Sequence, residues 1–200
     1  MEVNIEFFDV VDKNRLPLGY KKSRDESLKS DEFNIGVEIW IINDNSILMT
    51  QRSKTKSHPG QWEVPGGCCQ AGETSTDTIN RETKEEIGID ITEKDYSLIG
   101  MELYKKQFVD IYFSTKLINI KEIILQEEEV DNVKFVNKNE FIKMQMNNEI
   151  VPSVLDRYNK IKSKLSLNWW NLLKNYFLSL KIKYNTYYHF ESNYILDKQT

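Results

Sequence analysis

No segment constrains this chain more than residues 53–89, where a glycine-rich stretch runs straight into the strongest helix signal. Residues 53–73 show no helical period and hold four of the chain's eight glycines, so they read as a structured loop. From Thr74 the pattern changes. Thr74 can cap a helix with Asp77 three residues on, and Gly88 stands where such a helix stops. Ile79, Thr83 and Ile87, spaced by four, form one buried stripe, so the pattern predicts a helix over 74–87 laid on a core.

Glu82, Glu85 and Glu86 stand at i, i+3 and i+4, and three carboxylates therefore project from one arc of that helix. Like charges at these spacings cost roughly a few tenths of a kcal/mol per pair when exposed. The repulsion grows where the local dielectric falls. A divalent cation removes it and turns the cluster into an oxygen-ligand site. Carboxylates with carbonyls and water suit Mg²⁺ or Mn²⁺ rather than zinc, which prefers His and Cys. Arg81 can pair with Glu85 one turn on, or with Glu73, and fix a carboxylate rotamer. Pro65-Gly66-Gly67 lets the backbone turn and approach a ligand closely, which offers the Gly66 carbonyl to the same cation. Gly72 permits the bend before the helix cap. A Glu-rich helix alone reads as a solvated face. That reading leaves the glycines and the arginine at their spacings unexplained.

Around this segment the chain reads as strands and a few helices. Residues 4–22 look like a hairpin turning at Asp12-Lys13-Asn14-Arg15, and residues 23–31 like a connector. A second hairpin joins Phe33–Ile42 to Ile47–Gln51 through Asn43-Asp44-Asn45-Ser46. Strands follow over 97–103, 107–117 and 132–136, with helices over 138–145 and 152–165, the last opened by Pro152. Strands, a central helix and more strands predict an α/β domain with a mixed sheet. The organisation expected is a hairpin and connector over 1–30, a main domain over 31–165 and an extension over 166–200. That extension carries Trp169, Trp170, Leu172, Leu173, Tyr176, Phe177 and Leu180. It reads as a C-terminal helix packed on the domain; with Lys174, Lys181 and Lys183 on a polar face, a homodimer contact or a membrane-surface helix are the alternatives.

Composition narrows the partners. The net charge is only −4 over 200 residues, and it calls for neither nucleic acid nor an acidic membrane. No apolar run is long enough to span a bilayer, and Met1-Glu2-Val3-Asn4 has no signal-peptide character. The two cysteines, Cys68 and Cys69, are sequence neighbours and form no disulfide framework. A reduced cytoplasmic protein is expected.

The stretch from Gly67 to Ile89 resembles the signature of the Nudix family: Gly67, then Glu73, then Arg81, Glu82, Glu85, Glu86, Gly88 and Ile89. At background frequencies its seven invariant positions coincide about once in 10⁸ starts. Thr83 departs from the aliphatic residue usual there, although its methyl can still face a core. The likeness spreads over about residues 33–160, through Trp62-Glu63-Val64-Pro65 and Gln51-Arg52-Ser53 before the loop. Glu128-Glu129-Val130 is similar to a late segment that often adds one more acidic residue near the metal.

The resemblance implies a Nudix-type α/β/α sandwich with a mixed sheet. It also implies hydrolysis of a diphosphate in a nucleoside diphosphate-X-type or related small molecule, with Mg²⁺ or Mn²⁺ as the only cofactor. Glu82, Glu85, Glu86 and Gly66 are then the expected metal ligands, with Glu85, Glu82 and Arg81 as the catalytic group. Glu85 is the expected base, with Glu128 and Glu129 as rivals, and Glu73 orders the loop and Arg81. Arg52, Lys54 and Lys56 are candidates for holding phosphate, against a reading as ordinary surface charge.

Other features have plainer readings. His58 reads as a surface loop residue, Cys68 and Cys69 as small loop residues, and Trp40 and Trp62 as core rather than base-stacking groups. The N-terminal hairpin also resembles the subgroup similar to isopentenyl diphosphate isomerase. In that alignment its catalytic cysteine falls on Gly66, its metal histidine on Cys68 and a further histidine on Asn34, so the isomerase chemistry lacks its parts. A binding module without catalysis is the rival from a different class, but such a module is expected to lose metal carboxylates that this chain keeps. Nothing in residues 90–130 selects a substrate.

Overall fold

A computed structural model describes residues 5–165. In chain order the elements are β1 (Phe7–Val11), β2 (Pro17–Ser23), β3 (Asn34–Asn43), β4 (Ser46–Arg52), β5 (Trp62–Glu63), β6 (Gly66–Cys68), α1 (Ser75–Ile87), β7 (Tyr96–Tyr104), β8 (Gln107–Ser114), β9 (Val130–Asn137) and α2 (Lys138–Met146). A third helix, α3, covers residues 152–165. The chain divides into units over 1–161 and 162–200; of the second only 162–165 are described, as helix. The aromatic extension expected over 166–200 lies outside the described residues.

β3 is buried from Gly36 to Ile42, the mark of a strand covered on both faces. It runs parallel to β8, with Asn34 opposite Gln107 and Ile41 opposite Ser114. It pairs antiparallel with β4 only near the hairpin tip, at Ile42↔Ile47 and Asn43↔Ser46. Asp44 and Asn45 both have positive φ there (44° and 62°), the conformation a two-residue hairpin turn demands. Below the tip the strands part. β3 takes β6 as its antiparallel neighbour, while β4 takes β9 and β5. β7 closes the other edge against β8. The sheet is therefore mixed, and the fold is α/β as the sequence predicts.

Alternation along β3 sorts the two layers. Val37, Ile39 and Ile41 form a core with Ile79 and Ile87 of α1. Trp40, on the other face, meets Phe141 of α2 and Tyr158 of α3 at centroid distances of 6.4 and 5.5 Å. Trp40 is thus a core residue, and Trp62 is buried as well. The β1–β2 hairpin is fastened beside α1. Val11 bridges Phe33, and the Asp9 carboxylate accepts the Gly72 N–H at 2.7 Å. Arg15, in the turn at φ 66°, grips buried Asp110 of β8 through both guanidinium nitrogens at 2.7 and 2.8 Å. The Ser75 hydroxyl, at the first turn of α1, donates to the same carboxylate.

The stretch read as loop over 53–73 contains two short strands, β5 and β6. Glycine explains the second. A Cβ on Gly66 would fall 2.2 Å from the Val37 carbonyl oxygen, so only a bare backbone can lie this close to β3. The β8 strand ends at Ser114, three residues short of the expected 107–117.

Candidate functional site

α1 begins and ends as its sequence dictates. The Thr74 side chain accepts from the Asp77 N–H, the Asp77 side chain accepts from the Thr74 N–H, and Gly88 closes the helix in the left-handed region at φ 70°. Ile79, Thr83 and Ile87 are fully buried. The Thr83 hydroxyl, where an aliphatic residue is usual, donates to the Ile79 carbonyl one turn back at 2.6 Å, so its methyl packs without a stranded polar group.

With that stripe buried, the carboxylates fall around the loop. Glu82 is 8% exposed and Glu86 1%, whereas the Glu85 side chain is 46% exposed. Glu82 lies where Gly67 has no side chain: a Cβ on Gly67 would sit 2.0 Å from Glu82 Oε1. The Gly66 N–H donates to Glu86 Oε2 at 3.2 Å. Gly66 faces Glu38 between two hydrogen-bonded positions of the ladder, marked by Ile39 N–H to Pro65 O and Cys69 N–H to Ile35 O. Its carbonyl therefore turns away from β3, to the side where its N–H meets Glu86.

Two cations organise these acids. Arg81 donates to Glu73 at 2.6 and 2.9 Å, to Glu82 at 3.0 Å, to Glu85 at 2.9 Å and to the Cys68 carbonyl at 3.2 Å. Lys56 reaches Glu129 at 2.7 Å, Glu86 at 3.3 Å and Glu63 at 3.9 Å. Arg52 is held by Glu63 at 2.6 Å and by the Ser57 carbonyl. Burial pushes Glu82 up to about 7 against the pull of Arg81, and pushes Glu86 up against the pull of Lys56. Burial also opposes the charges of Arg81 and Lys56, but the surrounding carboxylates outweigh it and hold both cationic. Glu129 is lowered because the Lys56 ammonium outweighs its burial.

Among the described residues no three His, Cys, Asp or Glu side chains converge on one point that could hold a metal ion. Glu82 and Glu85 are drawn to Arg81, and Glu86 to Lys56. The donor set nonetheless fits a hard divalent cation. It consists of oxygens alone, two of them on carboxylates whose burial disfavours their charge, beside a loop with no side chains in the way.

A cleft of about 430 Å³ opens on the β6 side of β3. Gly66 and Gly67 line it with Arg52, Lys56 and Glu63, as do Arg24, Tyr104, Lys105, Gln107 and Arg157. His58 stands exposed in the loop and also lines the cleft. Arg157 is fixed by two donations to buried Glu38, at 2.6 and 2.7 Å. Of the three basic residues read as phosphate holders, Arg52 and Lys56 line this cleft, and Lys54 is exposed outside its lining. Glu129 joins the Lys56 cluster, whereas the Glu128 side chain is exposed and only its backbone carbonyl is held, by Ser53 and Thr55. Cys68 and Cys69 are free, and burial pushes their thiols up to about 11 and 12, so both stay protonated. Nothing in the sequence marks Glu63, Arg24, Tyr104, Gln107 or Arg157 as site residues. They come from separate elements, and no spacing links them.

A family model described as a NUDIX domain matches residues 32–158. An uncharacterized Nudix hydrolase of Listeria monocytogenes is 30% identical over 151 residues, 74% of this chain and 89% of that protein. Nudix hydrolase 3 of Arabidopsis thaliana is 32% identical over 152 residues, 68% of this chain and 20% of that protein. Among solved structures, DR0079 from Deinococcus radiodurans aligns with a TM-score of 0.62 at 19% identity, covering 73% of this chain and 92% of that one. A bifunctional NMN adenylyltransferase/ADP ribose pyrophosphatase from Francisella tularensis, complexed with AMP and a Mn ion, aligns with a TM-score of 0.56 at 19% identity, over 66% and 42%.

Proposed function

The chain belongs to the Nudix family, and from that premise we propose that it is a Mg²⁺- or Mn²⁺-dependent hydrolase of a diphosphate linkage in a nucleoside diphosphate-X-type or related small molecule. The observation that carries this reading is the pair of buried carboxylates, Glu82 and Glu86, set against the bare backbone of Gly66 and Gly67 at the wall of a cleft with cationic lining. Glu82, Glu85, Glu86 and the Gly66 carbonyl would hold the cation. Bound there, it would polarise phosphoryl oxygens, offset charge developing on the leaving phosphate and acidify a water.

The chain's own residues supply the rest. Glu85 is the half-exposed member of the trio, open to solvent while Arg81 fixes one of its oxygens, and it is assigned as base. Glu129, beside Lys56, is the alternative, and Glu128 stands further from the cluster. Arg81 is a positioning residue that orients Glu82 and Glu85 and ties both to Glu73. Arg52 and Lys56 face the substrate phosphates from the cleft wall, and Lys54 adds charge outside it.

The test is a panel of diphosphate compounds with Mg²⁺ or Mn²⁺, following phosphate release by wild type, Glu85→Gln and Glu86→Gln. Metal-dependent turnover that falls by about two orders of magnitude or more in the variants is expected, the scale of removing a charge-stabilising catalytic group. Tight metal binding without turnover on any compound would favour a non-catalytic Nudix-like binding module.

A further inference from the structure

β7 and β8 turn at Lys105-Lys106, and Tyr104 and Gln107 face each other as the last pair of their ladder. Facing residues of an antiparallel pair carry their side chains on one face, about 5 Å apart. Both line the cleft, together with Arg52 and Lys56. Gln107 lies against β3 at Gly36. A Cβ there would fall 2.8 Å from Gln107 Nε2 and 2.9 Å from the Gly67 carbonyl oxygen. The missing side chain at position 36 thus makes room for an amide beside the glycine loop. The Gln107 amide is half-buried, and among the described residues its side chain makes no hydrogen bond to the protein.

The turn that presents this pair is held firmly. Lys106 donates to the Ser30 carbonyl and lies 4.8 Å from the centroid of the Phe33 ring. Lys105 takes the left-handed conformation at φ 55°, with its ammonium 5.4 Å from the Tyr104 ring centroid. A β turn carrying a lysine at positive φ is a strained choice, and strain of this kind persists where the surroundings over-determine it.

We propose that Tyr104 and Gln107 select the substrate by its base: a nucleobase stacks on the Tyr104 ring and pairs its polar edge with the Gln107 amide. The proposal rests on the hydrolase reading and names the moiety that its substrate carries beside the diphosphate. A primary amide presents a donor and an acceptor side by side. That matches adenine, cytosine, uracil or guanine at an edge where one donor neighbours one acceptor. A purely aliphatic moiety would leave the amide unpaired, at a cost of about 1–3 kcal/mol, whereas a sugar could meet the amide with its hydroxyls but offers no flat ring to stack on Tyr104.

Isothermal calorimetry in Mg²⁺ with AMP, CMP, GMP and UMP, beside ribose 5-phosphate as the base-free probe, tests this without requiring turnover. Wild type should bind at least one nucleotide about tenfold tighter than ribose 5-phosphate. Gln107→Leu and Tyr104→Leu should each weaken that nucleotide by about tenfold and leave ribose 5-phosphate unchanged. Gln107→Glu keeps the shape but only accepts, so the preference should move toward GMP, whose N1–H and N2–H both donate. Equal binding of nucleotides and ribose 5-phosphate, no nucleotide binding at all, or unchanged nucleotide affinity in Gln107→Leu and Gln107→Glu would each overturn it. The diphosphate panel separates the two readings. Nucleotide binding that depends on Gln107, without hydrolysis of any compound, removes the hydrolase and keeps the base selector. Hydrolysis of base-free and nucleoside diphosphates at equal kcat/KM does the reverse.

Discussion

Gly67→Ala is the sharpest probe of the loop–helix contact, because the conflict it creates has one identified partner. Gly67 has no positive φ, so its backbone suits alanine and the whole penalty is steric. The added methyl would lie 2.0 Å from Glu82 Oε1, 2.3 Å from its Cδ and 2.8 Å from Oε2. The carboxylate must leave, and leaving breaks its 3.0 Å bond to Arg81. Losing a charged hydrogen bond costs about 1.5–3 kcal/mol and overpacking a tight site about 1–3 kcal/mol. With partial relaxation, Gly67→Ala should destabilise the fold by about 2–4 kcal/mol. In a Glu82→Ala background the obstacle is gone, and the same substitution should be neutral or stabilising by about 0.5 kcal/mol through the unfolded chain. Urea unfolding of the four proteins of this double-mutant cycle, in EDTA, should give a coupling of about 2–4 kcal/mol. Additivity within about 0.5 kcal/mol would refute the claim that Gly67 is there to admit Glu82.

Other substitutions test the supports. Arg15→Met leaves the Asp110 carboxylate buried with the Ser75 hydroxyl and should cost about 3 kcal/mol in urea unfolding, where a change below about 1 kcal/mol would show the hairpin clasp to be idle. Thr83→Val should alter stability by less than about 1 kcal/mol, since the lost hydroxyl bonds only within its own helix, and a larger loss would mean it supports something else. Glu32 is held down at about 2, chiefly by Lys22 at 2.5 Å and then by the Lys29 N–H and Tyr20. A carboxylate lowered on folding stabilises fully above its unfolded value of 4.5 and loses that contribution as pH falls from 4.5 toward 2. Glu32→Gln should therefore be less stable than wild type at pH 6 and match it near pH 2, and a difference independent of pH would refute the linkage.

Local signals carried the helix and its acids because each is written in consecutive residues. Thr74, Asp77 and Gly88 state where α1 starts and stops, and a period of four states which side is buried. The same logic gives the hairpin turn at Asp44-Asn45 and the mixed α/β class. Residues 53–73 read as loop because β5 and β6 have two and three residues, too few for any periodicity, and are held by β3 and β4 rather than by propensity. The second half of the site was illegible for a related reason. Gln107, Arg157 and Arg24 reach the cleft from the start of β8, a late helix and a connector; the parallel register of β8 against β3 places the first and the ion pair with Glu38 the second, and neither is written in local sequence. Lys54 and Lys56 show the limit within the loop itself. They are identical residues two apart, yet one is half-buried among three carboxylates while the other faces solvent.

That parallel register also sets the order in which the molecule can be made. Every pair between β3 and β8 spans 73 residues, as from Asn34 to Gln107, and loop closure over that length precedes any gain from the pairing. On a ribosome, Ile39 and Trp40 emerge long before their β8 neighbours, and in the meantime only the β3–β4 tip and the three-residue β6 can pair with β3. The acidic helix is complete by Ile87, some twenty residues before β8 begins at Gln107. The carboxylates are therefore synthesised ahead of the Gln107 end of the cleft, and a chain stalled before Phe108 would present its most apolar strand to chaperones rather than a working site.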